Sequence, residues 1–435
     1  MQTSNPLALI PLALFLALFI GSGLYYQSQG TEFAFYQVSA PVAIIPAIVL
    51  SIAMGWGALN ERLDTFIRGI GDSTIITMVI IYLLAGAFAA AVKAVGGVDA
   101  TVNLGLSLVP EWMILPGIFV IAAFVATSMG TSMGTIAAIA PVAVGVSESA
   151  ELPLLLTVGA VVGGAMFGDN LSIISDTTIA ATRTQGCEMR DKFKLNLLIA
   201  LPAAVITILL LGYQSSAGEI APSDYELIKV LPYIAVLVLA VAGLNVMLVL
   251  LIGILLAAAV GFITVPDYSI AQLSKQMYEG YTGMLEILIL SMLIGGLGAL
   301  IKHQGGLTFI AACIEKLTRR NGESGGRRAG EFSIATCVAA TNLCTANNTV
   351  SIIITGSLAH DIATRYGVNP KRAASLLDIF SCVVQGMIPW GAQILLASSI
   401  AKVSPLELVT SVQYCWFLAI AAVISILISK PGYKS

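Results

Sequence analysis

Long apolar runs separated by short polar stretches set the rhythm of this chain. Runs near 7–24, 40–57, 74–93, 195–213, 225–242, 245–263, 282–301 and 409–429 each approach the roughly 20 residues that a membrane-crossing helix needs. Two longer runs, 152–182 and 373–400, carry polar residues in their middles. Two more, near 113–146 and 332–357, turn polar halfway along. Inside a bilayer a helix opens only where its freed backbone groups are buried in protein or line a cavity. The pattern therefore predicts an all-α polytopic membrane protein: about ten transmembrane helices plus two re-entrant hairpins, with broken helices at 152–182 and 373–400. The first run has no basic residue before it and is long for the apolar part of a signal peptide, so it reads as a membrane helix.

Composition agrees with this pattern. Hydrophobic residues make up 57% of the 435 and charged residues 10%, and the mean hydropathy is +0.93, far from an ordinary soluble domain. The net charge of −3 comes with no basic patch, so nucleic acid is not an expected partner; the lipid bilayer is. The six cysteines form no CxxC pair and mostly sit in apolar segments, reading as reduced core residues.

Charge also orients the path, because loops rich in Lys and Arg stay cytoplasmic. Basic residues cluster at Arg62 and Arg68, at Arg183, Arg190, Lys192 and Lys194, between Lys302 and Arg328, at Arg365, Lys371 and Arg372, and at Lys430 and Lys434. The loops near Glu32, Glu148 and Glu151, and Glu219, Asp224 and Glu226 are acidic or nearly uncharged. A path with both termini cytoplasmic, in a cytoplasmic (inner) membrane, keeps all but Lys93, Lys229, Lys275 and Lys402 of the 21 lysines and arginines inside. It sends the first hairpin in from outside and the second in from inside.

The two halves resemble each other. Gly86–Gly97 matches Gly295–Gly306 at an offset of 209, holding Lys93 over Lys302 and the Gly-Gly pair over its copy. Thr127, Thr131 and Thr135 fall on Thr341, Thr345 and Thr349 at an offset of 214, and Gly163 and Gly168 fall on Gly386 and Gly391. With the charge bias this predicts two inverted-topology repeats, a recurring plan for secondary transporters. The division expected is N-terminal helices 1–60, repeat one 61–213, connecting helices 214–264, repeat two 265–429 and a cytoplasmic tail 430–435.

Four polar breaks converge if that symmetry holds: Thr127–Thr135, Phe167–Thr178, Thr341–Thr349 and Asp378–Gln393. Opened backbone supplies carbonyl oxygens, Ser, Thr and Asn add neutral oxygens, and a carboxylate adds the charge that offsets dehydration of Na+. Asp169, Asp176 and Asp378 are the carboxylates expected deepest and the expected sites for a cation or proton. Burial favours a protonated carboxyl and a bound cation the ionised one, so such a group can exchange the two. Asp176 before Thr177 and Thr178 fits a helix cap as well as it fits a ligand. Glu286 lies in an apolar run or at its solvated end, His303 and His360 fall in loops, and Lys93 and Lys302 fit snorkelling helix ends.

FGDNLSIISDTT at 167–178 resembles the signature of the NhaC-type Na+/H+ antiporters of the ion-transporter superfamily, with Asp169, Ser172, Ser175, Asp176, Thr177 and Thr178 matching. Ala126–Thr135 is similar to the family's Ser/Thr/Gly-rich first break, and Leu377-Asp378 followed by Pro389-Trp390 to its later acidic and Pro-Trp elements. The chain departs from the family pattern at Asn170, Ile173 and Gly391. The resemblance implies exchange of Na+ for H+ by alternating access, with Asp169, Ser172, Asp176 and Asp378 on sodium. The supporting oxygens would come from Thr127, Thr131, Thr135, Asn170, Ser175, Thr177 and Thr178, and from Thr341, Asn342, Thr345, Asn347, Asn348 and Thr349. By analogy with the superfamily it also implies a homodimer.

Members of that superfamily also carry amino acids or organic carboxylates with Na+ or H+. Here such an anion could dock at half-helix N-termini without an arginine. The absence of Lys and Arg from the four breaks favours a cation; the Asn and Thr of the second hairpin favour the carboxylate carrier. An intramembrane aspartyl protease lacks its paired Tyr-Asp motif here, and broken helices in paired halves suit alternating access better than a passive channel. No P-loop occurs and no organic cofactor is expected, so ion gradients would drive transport.

Overall fold

The apolar runs do fold as helices, and the polar residues between them act as caps and stops. In a computed structural model of the protein, the described residues are 4–29, 31, 37–108, 110–172, 175–215, 225–242, 244–310, 312–313 and 326–428. Glu32, Ile173, Glu219, Asp224, Lys316, Arg319, Arg320, Lys430 and Lys434, and with them the tail 430–435, lie outside the described residues.

The first part of the chain contributes α1 (Ile10–Ser28), α2 (Ile45–Met54), α3 (Leu59–Ile70), α4 (Ser73–Ala94), α5 (Gly97–Leu108), α6 (Ile114–Met129), α7 (Ser132–Ser149), α8 (Leu154–Leu171), α9 (Asp176–Gln185) and α10 (Met189–Gln214). Helices α11 (Leu227–Val241) and α12 (Val246–Thr264) follow. Then come α13 (Ile270–Gly283), α14 (Leu285–His303), α15 (Gly326–Thr345), α16 (Asn348–Tyr366), α17 (Pro370–Met387), α18 (Ala392–Ala401) and α19 (Gln413–Ile428). Among the described residues, eight helices are long and apolar enough to cross a membrane, or nine if Pro405–Ser411 and α19 form one bent span. The protein is an all-helical polytopic membrane protein.

Three amphipathic helices, α3, α5 and α13, were not expected from the apolar runs, because each is too polar to read as a crossing. Helix α3 seats Phe66 against Gly296 of α14, and its polar face carries Glu61, Asp64 and Arg68. Helix α10 begins six residues before the expected 195, taking Lys192 and Asn196 into the helix. The first hairpin runs Ile114–Met129 and Ser132–Ser149 rather than 113–146, and its second arm is by itself long and apolar enough to cross.

The halves repeat in backbone as well as in composition. Gly96 and Gly305, an offset of 209, both take positive φ, of 76° and 84°. Further on the offset is 216: Gly130 and Ala346 (φ 71° and 50°), Glu151 and Gly367 (52° and 64°), and Gly186 and Lys402 (67° and 56°) are left-handed pairs at that spacing. The same 216 carries α8 onto α17 and α9 onto α18 residue for residue. This corrects the expected alignment of the later breaks. Thr127 and Thr135 fall on Leu343 and Ser351, Thr131 on Asn347, and Gly163 and Gly168 on Ile379 and Val384. Helical threonines four apart resemble one another wherever they occur; the register is set by the turns.

The halves interlock by exchange. Helix α3 packs on α14, and α13 packs on α4, so each half's leading helix lies against the other half's next helix. Both contacts use glycines that let backbones approach. A Cβ on Gly69 would strike the backbone of Gly295 and Gly296, and one on Gly280 would strike that of Gly86. Between them Tyr82 Oη and Ser291 Oγ, 209 positions apart, meet at 3.3 Å. Farther out, buried Glu331 of α15 pairs with Arg327 at 2.7 Å and with Arg372 of α17 at 3.0 Å. Arg372, expected in a loop, is only 7% exposed.

Candidate functional site

The four polar breaks become four helix starts around one buried network. At the α6–α7 join, Gly130 turns left-handed and extended Thr131 caps α7, its hydroxyl accepting from the Gly134 amide. At the α15–α16 join, Ala346 turns left-handed and Asn347 caps α16 in the same way, accepting from the Val350 amide at 3.0 Å. Each polar residue here satisfies one amide that a helix start leaves free. Between α8 and α9, Ser172 is extended and Ser175 caps α9, accepting from the Thr178 amide at 3.2 Å. The Thr178 hydroxyl returns across the break to the Ser172 carbonyl at 2.7 Å. Between α17 and α18, extended Gly391 precedes the second helix, and Trp390 Nε1 donates to the Leu343 carbonyl at 3.1 Å.

Asp169, in the last turn of α8, is 4% exposed. Its Oδ2 accepts from Ser132 Oγ at 3.0 Å, and Ser132 in turn accepts from Gln393 Nε2 of α18 at 3.0 Å. Gln393 Oε1 accepts from Gln385 Nε2 at 2.8 Å, and the same nitrogen donates to the Ala346 carbonyl at 2.9 Å. One chain of hydrogen bonds thus runs from the carboxylate of the first half to the left-handed turn of the second.

Asp378, in the middle of α17, is fully buried and sits in a second cluster. Lys192 Nζ of α10, also fully buried, lies 2.8 Å from Asp378 Oδ2. The ammonium donates as well to the Asn170 carbonyl at 3.2 Å and to the Thr178 hydroxyl. One turn along α10, Asn196 Nδ2 donates to Asp378 Oδ2 at 2.7 Å and to the Asn170 carbonyl at 2.9 Å. Asn170 Nδ2 donates to Tyr414 Oη of α19 at 3.1 Å. Because Asp169 and Asn170 are consecutive, the two clusters meet at the end of α8. In these clusters Asn170 Oδ1, Asn196 Oδ1 and Asp378 Oδ1 are buried acceptors without a hydrogen bond, as are Asn342 Oδ1, whose amide donates to the Ser381 carbonyl of α17, and Gln385 Oε1. Buried oxygens are costly unless something satisfies them, and four amide oxygens together with an oxygen of Asp378 are the kinds of ligand a small hard cation takes.

The expected residues divide. Thr135, Asp169, Asn170, Ser172, Ser175, Thr177, Thr178, Thr341, Asn342, Thr345, Asn347, Asn348 and Asp378 are buried, as is Ser132, which was not among them, whereas Thr127, Thr131 and Thr349 are partly exposed. Asp176, expected among the deepest carboxylates, is exposed on the first turn of α9, because Ser175 takes the capping position and turns the next side chain outward. It lines a cavity of about 450 Å³ with Ser73, Thr77, Arg183, Thr184 and Thr349. Thr127 and Thr135 spend their hydroxyls on the carbonyls of Ala123 and Thr131 in their own segments. Glu286 is exposed on the first turn of α14.

Lys192 is the main correction. Taken from the sequence as a cytoplasmic loop residue, it lies at the buried centre, so the site does contain a basic group. Asn196, Gln385, Gln393 and Tyr414 were not singled out either. The spacing of Lys192 and Asn196, four residues apart and so on one face where the helix turns from polar to apolar, is the signal that could have found these two.

Similarity to known proteins agrees with this architecture. The chain is 24% identical to the malate-2H+/Na+-lactate antiporter of Bacillus subtilis, over 98% of this chain and 94% of that protein. It is 25% identical to the Na+/H+ antiporter NhaC of the same organism, over 89% of this chain and 90% of that one. With the arginine/ornithine antiporter ArcD of Halobacterium salinarum it shares 24% identity, over 78% and 76% of the two chains. The sequence profile of the Na+/H+ antiporter family matches residues 3–215 and 218–431, and the chain belongs to that family of transporters.

Proposed function

We propose that the protein exchanges Na+ for H+ by alternating access across a cytoplasmic membrane, with Asp169 and Asp378 carrying the exchangeable charge. The observation that carries this reading is the pair of buried carboxylates with four unpaired buried amide oxygens and one unpaired oxygen of Asp378, on side chains of the four linked helix breaks and of α10. Ionisable groups at this depth are costly and mark ion paths. A sodium ion there would take a carboxylate oxygen and neutral oxygens of Asn170, Asn196 and Asn342, with Ser172 and Thr178 close by on the broken helix. A proton on either carboxylate removes the charge that holds the cation, so the two compete for one site. Asp176 then acts at the cavity beside the site and not at its centre.

The bias of Lys and Arg toward one set of loops supports two halves of opposite membrane orientation, with division points near 61–213 and 265–429. Cytoplasmic termini and a homodimer complete the reading.

Lys192 favours a second reading, a Na+- or H+-coupled carrier of a small amino acid or carboxylate, since a buried ammonium can also meet an anion. The names of the malate/lactate and arginine/ornithine relatives point the same way. Reconstituted liposomes separate the two. With a trapped pH dye, an imposed sodium gradient should move protons. Absence of that flux, together with sodium- or proton-driven uptake of labelled lactate, malate or arginine, would replace the first reading with the second.

A further inference from the structure

The position of Lys192 Nζ describes a cation site already filled. Its ammonium, with no solvent exposure, meets three oxygens of different kinds: a carboxylate of α17, a backbone carbonyl at the end of α8 and a hydroxyl on α9. A carboxylate, a carbonyl freed by a helix break and a hydroxyl are the ligands a small hard cation takes from a protein. Asn196 holds two of the three in place by donating to both Asp378 and the Asn170 carbonyl. The three acceptors come from three helices, and Lys192 reaches them on a long flexible stem from a fourth.

We propose that the Lys192 ammonium is a tethered surrogate for the transported cation: it occupies the cation site in the empty carrier and is displaced when sodium binds. This rests on the cation-exchange reading above. An empty carrier with Asp378 bare would have to move a lone buried charge through its transition, which is costly. The surrogate neutralises that charge, so the sodium-free carrier, with its proton on Asp169, can change sides. Its cost is competition, because sodium must displace the ammonium before it reaches Asp378.

The test uses the full-length carrier, in detergent for equilibrium binding of radiolabelled sodium and in liposomes for flux. Lys192→Met removes the charge, and Lys192→Gln removes it while keeping a donor for the Asn170 carbonyl. Both should bind sodium at least about tenfold more tightly than wild type, as expected on losing a competing charge at contact distance. Both should retain sodium/sodium exchange while net proton-driven sodium flux falls below about a tenth of wild type. In the wild type, the Lys192 side-chain nitrogen NMR resonance should shift with saturating sodium and not with choline, which tests displacement even if neither variant folds. Unchanged or weaker sodium binding in folded variants, parallel loss of exchange and net flux, or a resonance indifferent to sodium would overturn the proposal. A wild type that moves protons with sodium while its variants fail these tests rejects the surrogate alone. A wild type that does neither rejects the antiport reading itself.

Discussion

Helices α6–α9 and α15–α18 share one backbone plan and differ in their chemistry. Both place a left-handed residue and a polar cap before the second hairpin arm, and both break the following long helix at the same step. Yet Asp169 of the first half stands where the second has Gln385, and Asp378 of the second stands where the first has Val162. Gly164 and Gly168, which admit the backbone of α6 at Phe119 and Ala123, stand opposite Phe380 and Val384. The repeat therefore builds the scaffold twice and the charge once on each side, in non-equivalent places. A symmetric frame supplies helix ends that meet; asymmetric side chains make one site out of them.

The two carboxylates differ most, and their removal sharpens the comparison. Asp378→Asn leaves Lys192 buried without a counter-charge, so it should destabilise the protein by about 3–5 kcal/mol, read as a large fall in Tm in detergent. Asp169→Asn, at a position held by a serine hydroxyl and by no ion pair among the described residues, should stay within about 1 kcal/mol of wild type. Equal losses would erase the distinction. Next comes packing: Gly168→Val should cost about 3 kcal/mol or more by forcing α6 off α8. The reciprocal Val384→Gly should cost about 1–2 kcal/mol, with no helix displaced.

Ser132→Ala removes the one hydroxyl that touches both Asp169 and Gln393. It should raise the sodium KM by about three- to tenfold and cost about 2 kcal/mol of stability, about 1 kcal/mol for each of the two lost hydrogen bonds. An unchanged KM would mean that the hydrogen-bond chain between halves plays no part in sodium recognition. The smallest effects fall at the matched turns. Gly130→Ala should lose about 1 kcal/mol, and Ala346→Gly should gain about 0.5 kcal/mol, because φ is positive at both. Thermal unfolding of the pair checks whether the two turns are as alike as their dihedrals.

Much of this was legible in the chain. Apolar length gave the helices, and the polar breaks gave the helix starts. Asp169 and Asp378 stood out as charges in runs that should hold none. The register of the later repeat was hidden because its marker, the left-handed turn, falls on glycine at 130 and on alanine at 346, and an alanine does not advertise a positive φ. Lys192 was hidden by its own chemistry, since the residue type that marks a cytoplasmic loop is also the one that can neutralise a buried carboxylate. Ser132 and Gln393 are 261 residues apart, and only the folded helices bring them together. Asp176 misled in the opposite sense: its motif is the most recognisable in the chain, yet the serine before it caps the helix and sends its carboxylate outward.

The claim at the centre of this account is that the two buried carboxylates, and not the repeated scaffold, carry the exchange. It is tested most directly by sodium-driven proton flux in liposomes containing wild type or Asp169→Asn, each verified as folded by its Tm. The account predicts flux in the wild type and a drop to the empty-liposome background in Asp169→Asn, with its stability nearly intact. Proton flux in a folded Asp169→Asn carrier that remains within a factor of about two of wild type would contradict it.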